Sequence, residues 1–432
     1  MSDDSLVHRL RRIGQALEQQ FLGKDEVIRL LLISVVAGEH ALLIGPPGTA
    51  KSALIRSLAK MLDARYFEYL LTRFTEPNEI FGPVDIRAFR EGAYKRRIER
   101  MLPDSEIVFL DEVFKSNSAI LNSLLTLLNE RTYTVGTEVL SCPLISVFGA
   151  SNEVPSDDTM LAIFDRFLLR IRSDNLDAYH FTELLERGIA LEVAQLTQQA
   201  VETPVTAAEL HTLRASFGSR LRFEPSFLGA YKGLVFQIRA EGVTLSDRRV
   251  VKMLKLFAAS AFLDGRDTPN ASDFFLLKHI WNNEDQASVI NAIVQPELEL
   301  FYRDNPGARR AGSVGIGLDA LEGEIQRIQT LLSAGTPLGD VQVFSHLKAL
   351  GEINTALASH QEPRARELER RVQTLLEASF RSGRFAGLLD RSCSLKHSRP
   401  LVRERIEEGE VNGTAFEGRA HPRVRSVVVF AG

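Results

Sequence analysis

The octapeptide GPPGTAKS at residues 45–52 constrains what this chain can fold into more than any other stretch. It differs by one residue from the phosphate-loop pattern G-x-x-x-x-G-K-[ST], because Ala50 stands where the pattern has glycine. The apolar run HALLIG precedes it and the helical pattern SALIRSLAKML follows it, which is the order that such a loop needs. Alanine carries no backbone penalty here if residue 50 has right-handed helical dihedral angles, so the variant is chemically admissible.

A phosphate loop binds its anion through backbone N–H groups that point inward at a helix N-terminus, where the helix dipole also favours negative charge. The lysine adds positive charge for the β- and γ-phosphates, and the hydroxyl after it ligates Mg²⁺. Lys51 and Ser52 occupy these two positions. The octapeptide therefore predicts a nucleotide site.

Five apolar runs of strand length alternate with helical patterns over residues 1–175. They are HALLIG (40–45), ARYFEYLLT (64–72), EIVFLDE (106–112), LISVFGASN (144–152) and FLLRIRS (167–173). Between the third and fourth, NSAILNSLLTLLNER (117–131) has leucines at helical spacing. This alternation predicts an α/β fold with a parallel sheet covered on both faces.

The rest of the chain loses the strand signal. Residues 176–285 contain four helical patterns, and residues 286–380 continue as a further helical region. No alternating-strand stretch of domain length lies between residues 300 and 380. The final segment, 381–432, is rich in glycine and arginine without periodicity, and we predict that it is weakly ordered.

Polar side chains follow two of the predicted strands. Asp111 and Glu112 end the run IVFLDE, and Asn152 ends the next strand along the chain. A nucleotide site of this kind needs one carboxylate for Mg²⁺ and a second that acts as general base toward the attacking water. A neutral amide on the neighbouring strand can orient that water, so these three residues are predicted to share the site.

Two pairs of arginines are candidates for stabilising charge in the transition state. Arg166 and Arg170 lie at the entry to the last strand, in FDRFLLRI, and Arg248 and Arg249 begin a helix in SDRRVVKMLKL. Cationic groups of this kind are often supplied by a neighbouring subunit. Arg166 and Arg248 are the preferred candidates, and Arg170 and Arg249 are the alternatives.

Together these motifs resemble an AAA+ ATPase, a P-loop NTPase with an α-helical lid. Alanine before the lysine in GPPGTAKS is similar to the usual form of the MoxR family. FEYLLTRFTEPNEIFGPVDI, EIVFLDEVFKSNSAILNSLLTLLNER and LSDRRVVKMLK resemble more specifically its regulatory ATPase variant A (RavA) subfamily, over about residues 6–285. The resemblance implies an αβ nucleotide-binding subdomain at 1–175 and the lid at 176–285.

The resemblance also implies a role for each matching residue. Lys51 would meet the phosphates of ATP or ADP, Ser52 and Asp111 would serve Mg²⁺, and Glu112 would activate water. Asn152 would be the first sensor, Arg166 the arginine finger and Arg248 the second sensor. The residues implied to contact the nucleotide are Leu22, Gly23, Gly45, Pro46, Pro47, Gly48, Thr49, Ala50, Lys51, Ser52 and Ala53.

Relatives of this kind belong to the helix-2-insert clade. FGPVDIRAFREGAYKRR would be that insert, expected as a hairpin turning at Glu91-Gly92, and RTYTVGTEVLSC would be a second hairpin. The family implies a hexameric ring, a partner with a von Willebrand factor A domain and protein clients that it remodels or activates. The sequence does not name the client, and the lysine decarboxylase partner of some RavA proteins is not expected, because the small β-rich domain that binds it has no counterpart here.

Composition limits the competing functions. Lysine and arginine number 52 against 56 aspartates and glutamates, a net charge of −4 that argues against a nucleic-acid motor, although RAFREGAYKRRIER is locally basic. A chelatase-type motor subunit remains open, because such a subunit needs no metal site of its own. Two cysteines, no signal-peptide pattern at the start and no apolar run of membrane-spanning length favour a cytoplasmic protein.

Overall fold

The computed structural model describes residues 3–155, 157–176, 184–185, 188–189, 193, 205–308, 318–333, 340–358 and 363–381. These residues fall into two compact units, which divide between residues 317 and 318. Among the helices described, none is both long enough and apolar enough to cross a membrane. The predicted weakly ordered tail, apart from its first residue, lies outside the described residues, as do most residues between 177 and 204.

Five parallel strands form the central sheet, as the sequence predicts. Along the chain they are β1 (Ala41–Ile44), β2 (Tyr66–Leu70), β3 (Ile107–Asp111), β6 (Ser146–Ser151) and β7 (Leu169–Arg172), and their spatial order is β2-β3-β6-β1-β7. Strand β1 lies between β6 and β7, and Leu42 pairs with Gly149 on one side and Arg170 on the other. The loops that follow β1, β3, β6 and β7 therefore meet at one edge of the sheet.

Helices surround this sheet. They are α1 (Asp3–Gln20), α2 (Asp25–Ala37), α3 (Lys51–Met61), α4 (Pro77–Phe81), α5 (Ile86–Arg90), α6 (Ser118–Glu130) and α7 (Asp158–Phe164). Helix α6 begins at a cap in which the side chain of Asn117 accepts a hydrogen bond from the N–H of Ile120 at 3.1 Å, and it buries Leu121, Leu124 and Leu128 as its spacing predicts.

The insert differs from the hairpin that we expected. A short helix, α5, interrupts it at residues 86–90, because the Asp85 carboxylate accepts hydrogen bonds from the N–H groups of Arg87 and Ala88 and so caps a helical turn. The chain does turn at Glu91 and Gly92, and a single antiparallel bridge joins Val84 to Arg96. The second predicted hairpin is confirmed, with β4 (Thr132–Val135) pairing antiparallel to β5 (Glu138–Ser141).

The lid contains α8 (Ala207–Ser216), α9 (Pro225–Ala240), α10 (Asp247–Leu263), a 3-10 helix (Ala271–His279) and α11 (Glu284–Asp304). Helix α11 packs against the 3-10 helix and α9, so it belongs to the first compact unit. The boundary that we placed after residue 285 therefore falls inside this helix, and the structural division lies about thirty residues later, between residues 317 and 318.

The second unit is helical in all of its described residues, as predicted. Its helices are α12 (Leu318–Ser333), α13 (Asp340–Ala358) and α14 (Pro363–Arg381). They pack through buried apolar side chains that include Ile325, Leu350 and Val372.

Candidate nucleotide-binding site

The phosphate loop leaves β1 at the carboxyl edge of the sheet and enters α3. The N–H of Gly45 donates to the carbonyl of Ser151, at the end of β6, at 3.1 Å. On its other side, a Cβ added to Gly45 would lie 2.3 Å from the carbonyl oxygen of Ser173, just after β7. Glycine is therefore required at residue 45, because the loop passes tightly between the ends of two strands.

Ala50 does not have the right-handed dihedral angles under which alanine carries no backbone penalty. Its φ is 60° and its ψ is 21°, in the left-handed region, where it forms the N-cap of α3. The loop turns back on itself at this residue, and a left-handed conformation makes that turn. Such a conformation costs a residue with a Cβ about 1 kcal/mol, which explains why the general pattern has glycine here.

Lys51 lies buried beneath the loop. Its ammonium donates to the carbonyls of Gly45 and Pro46 at 2.9 and 2.8 Å. Burial lowers the pKa of Lys51, and the charges of Asp111 and Glu112 oppose that shift, so both carboxylates lie within electrostatic reach of the ammonium.

The loop has the features that an anion requires. The N-terminus of α3 has no side-chain cap, so the N–H groups of its first turn remain available to a ligand. A Cβ added to Gly48 would meet no atom within 4 Å, so the loop borders open space at its tip. Ser52 follows Lys51 on α3, and α3 packs against β3, the strand that ends in Asp111. These residues fit a Mg–nucleotide ligand.

Leu22 and Gly23, which the resemblance places near the adenine, lie between α1 and α2. Gly23 has a φ of 65°, and a Cβ there would lie 2.4 Å from the side chain of Leu176. The next residue, Lys24, is buried and donates to Ser173 Oγ at 3.3 Å and to the carbonyl of Asp174 at 2.7 Å. Residues 22–24 are therefore hydrogen-bonded, through Lys24, to the residues just after β7, which also border Gly45.

Sequence reasoning did not identify Lys24. Ser173 Oγ donates to Thr49 Oγ1 at 3.3 Å, so one chain of hydrogen bonds runs from Lys24 through Ser173 to the phosphate loop. Burial lowers the pKa of Lys24, and the charge of Lys51 contributes to the same shift. A lysine at the start of an amphipathic helix is usually exposed, so only the fold could reveal this position.

Glu112 and Asn152 meet as predicted. Asn152 Nδ2 donates to Glu112 Oε1 at 2.7 Å, and the ammonium of Lys115 lies 3.1 Å from the same oxygen. The N–H of Glu112 donates to Asp111 Oδ1 at 3.0 Å. Glu112 has a φ of 52°, a strained conformation that turns its side chain away from the strand direction. Asn152 thus holds the candidate base, and Lys115 is a contact that the sequence analysis missed.

The two arginine pairs divide into exposed and buried members. Arg170 and Arg249 are 0% and 2% exposed, and both donate to the carbonyl of Ile280, at 3.4 and 2.6 Å. Arg249 also donates to Asn282 Oδ1 at 2.8 Å. Arg170, in the sheet, reaches the lid at Ile280, and Arg249, in the lid, lies 3.9 Å from Asp165 of the αβ part, so both side chains are buried between lid and sheet.

Arg166 and Arg248 lie near each other, with Arg248 exposed and Arg166 partly buried. Arg248 donates to Asn129 Oδ1 at 2.6 Å, while Arg166 lies 3.4 Å from Asp165. Burial lowers the pKa of Arg166 and the charge of Arg248 lowers it further. Arg166 Nε is buried and has no hydrogen-bond partner in the described part of the chain. Two guanidinium groups that repel each other favour an anion between them.

Comparison with known families and structures agrees with this geometry. The family model described as the MoxR domain in the MoxR-vWA-beta-propeller ternary systems matches residues 8–215, and a model of an AAA lid domain matches residues 232–294. An uncharacterized protein of Methanocaldococcus jannaschii is 34% identical over 363 residues, which cover 83% of this chain and 92% of that protein.

The chain belongs to the MoxR family of AAA+ ATPases.

More distant relatives share parts of this family's fold. The protein named chaperone MoxR1 in Mycobacterium tuberculosis is 24% identical over 169 residues, which cover 38% of this chain and 44% of that protein. The crystal structure of a candidate ATPase from Cytophaga hutchinsonii superposes with a TM-score of 0.54 at 21% identity, over 68% of this chain and 95% of that one. The match to that structure supports the AAA+ fold of the first compact unit.

Proposed function

We propose that this MoxR-family chain binds ATP with Mg²⁺, hydrolyses it to ADP and phosphate, and uses the cycle to remodel or activate protein complexes. The observation that carries the proposal is the meeting of Lys51, Asp111, Glu112 and Asn152 at one edge of the sheet, beside an uncapped helix N-terminus. Phosphate binding, metal binding and water activation each have a candidate group there.

Each residue has a defined part in this proposal. Lys51 would exchange its two loop carbonyls for phosphate oxygens, and Ser52 and Asp111 would hold Mg²⁺, which supplies positive charge that neutralises the phosphates. Glu112 accepts a proton from the attacking water. Asn152 fixes the orientation of Glu112 through their 2.7 Å hydrogen bond. While this hydrogen bond is made, the carboxylate of Glu112 points toward the phosphate.

We further propose a hexameric ring in the cytoplasm, with Arg166 and Arg248 facing the nucleotide of the adjacent subunit. The partner would be a von Willebrand factor A domain protein, as the description of the matched family model suggests, with a β-propeller protein as a third component. The finer resemblance to the RavA subfamily concerns sequence motifs of the ATPase part, and it leaves this choice of partners open.

Calorimetric titration with ATP and Mg²⁺ tests the site. Lys51→Ala removes the buried ammonium and should weaken ATP binding by about tenfold to a hundredfold, the range of a charge-assisted hydrogen bond. Lys60→Ala is the matched control, because Lys60 lies on the same helix with an exposed side chain. Equal ATP affinity in both variants and the parent chain would refute the phosphate-loop interpretation.

A further inference from the structure

A second cleft lies at the opposite edge of the sheet from the phosphate loop. It has a volume of about 650 Å³, and its walls include Arg131, Cys142, Leu144, His211, Arg214 and Lys255. Leu144 precedes β6, and the neighbouring Gly38 and Glu39 precede β1, so the cleft borders the amino ends of these strands. Its volume is in the range of small-molecule sites.

The cations around this cleft outnumber the two carboxylates near it, Glu39 and Glu106. Glu39 is 3% exposed and accepts salt bridges from Lys252 at 2.8 Å and Lys255 at 2.5 Å. One carboxylate thus offsets two ammonium groups. His211 contacts Glu106 at 3.5 Å, but that carboxylate already pairs with Arg65.

Arg131 and Arg214 add two more positive charges, whose hydrogen-bond partners are neutral carbonyls, while the charge of Glu39 acts on both. Arg131 donates to the carbonyl of Gly38, and Arg214 donates to the carbonyl of Leu144 at 3.0 Å. A Cβ added to Gly38 would lie 2.6 Å from Arg214 Nε, so both guanidinium groups lie against the same glycine. Burial lowers the pKa of Arg214 to about 10, and the charge of Arg131 contributes to that shift.

Arg131 also carries two signs of local strain. Its φ is 53°, in the left-handed region that residues with a Cβ avoid, and it forms the C-cap of α6. Its Nε is buried and has no hydrogen-bond partner among the described residues. Leaving a buried donor of a charged group unpaired costs free energy, and strained residues of this kind concentrate at functional sites.

We propose that this cleft binds a small polyanion, a molecule that carries two or more phosphate or carboxylate groups. The planar guanidinium groups of Arg131 and Arg214 and the ammonium of Lys255 match the oxygens of such groups, which accept charge-assisted hydrogen bonds. Arg131, Cys142 and Leu144 belong to the αβ part, whereas His211, Arg214 and Lys255 belong to the lid. The bound anion therefore bridges the two parts, at a place distant from the nucleotide.

The test uses the full chain with Lys51→Ala, so that binding of the probes at the phosphate loop is weakened. Inorganic pyrophosphate and citrate are titrated separately by calorimetry at about 0.15 M salt, where weak surface attraction is screened. Binding of pyrophosphate alone identifies a phosphate ligand, and binding of citrate alone identifies a carboxylate ligand. Failure of both to bind at millimolar concentration overturns the proposal.

Three further substitutions locate the site within the chain. Arg214→Gln should weaken binding by about tenfold or more, the value of one charge-assisted hydrogen bond. His211→Glu gives a second measurement if Arg214→Gln fails to fold, because His211 is 37% exposed and its substitution removes no buried group. Arg222→Gln, at an exposed position of the same lid, makes the same charge change as Arg214→Gln and should bind as the parent does. Equal weakening by Arg222→Gln and Arg214→Gln would mean adventitious ion binding only.

Discussion

Ala50 holds a left-handed conformation in a position where glycine would carry no steric cost, and this gives the first prediction. Ala50→Gly should stabilise the chain by about 1 kcal/mol and leave ATP hydrolysis within a few-fold of the parent, because the backbone keeps the same path. Urea denaturation and phosphate release measure the two effects.

Ala59→Gly is the matched control for that prediction. Ala59 lies inside α3 and is fully buried, so the same substitution should destabilise the chain by about 1 kcal/mol or more. The two substitutions therefore have opposite signs on one helix. Loss of hydrolysis in Ala50→Gly would reveal a role for the methyl group that this geometry does not contain.

The second prediction separates binding from chemistry at Glu112. Glu112→Gln retains an oxygen that accepts from Asn152 and Lys115, so the loop geometry and ATP affinity should persist. Turnover should fall by about a hundredfold or more, because the amide cannot accept the proton of water. Glu153→Gln, at the exposed position beside Asn152, should hydrolyse ATP at the parent rate. Normal turnover in Glu112→Gln would remove this residue from the proposed role of base.

The strands show how much of the fold the sequence contains. Apolar runs such as IVFLD are buried on both faces, so their composition alone predicts β3, and the same holds for β1 and β6, whereas β2 is partly exposed at the edge of the sheet and β7 ends in an exposed arginine. The carboxyl ends of parallel strands meet at one edge of a sheet. For this reason the order of strands and polar residues along the chain was enough to predict that Asp111, Glu112 and Asn152 share one site.

Features that depend on local backbone conformation, or on contacts distant in sequence, could not be predicted. The insert was expected as a hairpin, but the local cap by Asp85 favours a helical turn there. Lys24 enters the site only because Ser173 and Asp174 follow β7 nearby, and Lys115 contacts Glu112 only because residue 112 adopts a left-handed conformation. The same applies to Ala50, whose dihedral angles the motif does not specify.

The buried contacts of Arg249 with Ile280 and Asn282 give a prediction at the level of elements. Arg249→Met removes two hydrogen bonds, to Ile280 and Asn282, and leaves their oxygens without this donor. The first compact unit should lose about 2–4 kcal/mol of stability, visible as a lower thermal midpoint in calorimetry. Arg248→Met, one residue earlier, removes a surface contact to Asn129 and should change the midpoint little.

Hydrolysis should respond to the same two substitutions in the opposite order. If Arg248 serves the nucleotide, Arg248→Met should reduce ATP turnover without changing stability. At a temperature where Arg249→Met is folded, that variant should hydrolyse ATP faster than Arg248→Met. If Arg248→Met lowered the thermal midpoint more than Arg249→Met does, the lid would be held by contacts other than those of Arg170 and Arg249 with Ile280.

At the scale of the whole molecule, the proposed ring makes one chain an incomplete catalyst. Arg170 and Arg249 have their donors in the chain's own interior, which favours Arg166 over Arg170 as the proposed finger and Arg248 over Arg249 as the proposed second sensor. Arg166 lies close enough to Arg248 for the two charges to interact, with Arg248 exposed and Arg166 partly buried. In the proposed ring these groups would meet the nucleotide of the next subunit.

The last prediction tests that arrangement by complementation. Arg166→Ala should bind ATP normally but hydrolyse it about 10³-fold more slowly, the value of an arginine finger. Glu112→Gln is inactive for a different reason, so a mixed ring contains some interfaces that combine an intact Glu112 with an intact Arg166 from the adjacent subunit. Activity should partly return on mixing, and phosphate release measured across mixing ratios should peak near equal amounts.

The control for complementation pairs Glu112→Gln with Arg303→Ala, whose arginine is exposed and pairs only with its neighbour Asp304 among the contacts described. Arg303→Ala should be fully active alone, so this mixture should lose activity in proportion to the inactive chain, with no maximum. Native mass spectrometry confirms that subunits exchange in both mixtures. If exchange occurs and the Arg166→Ala mixture stays inactive, Arg166 acts within its own chain, because every site then carries one lesion whichever subunits are neighbours.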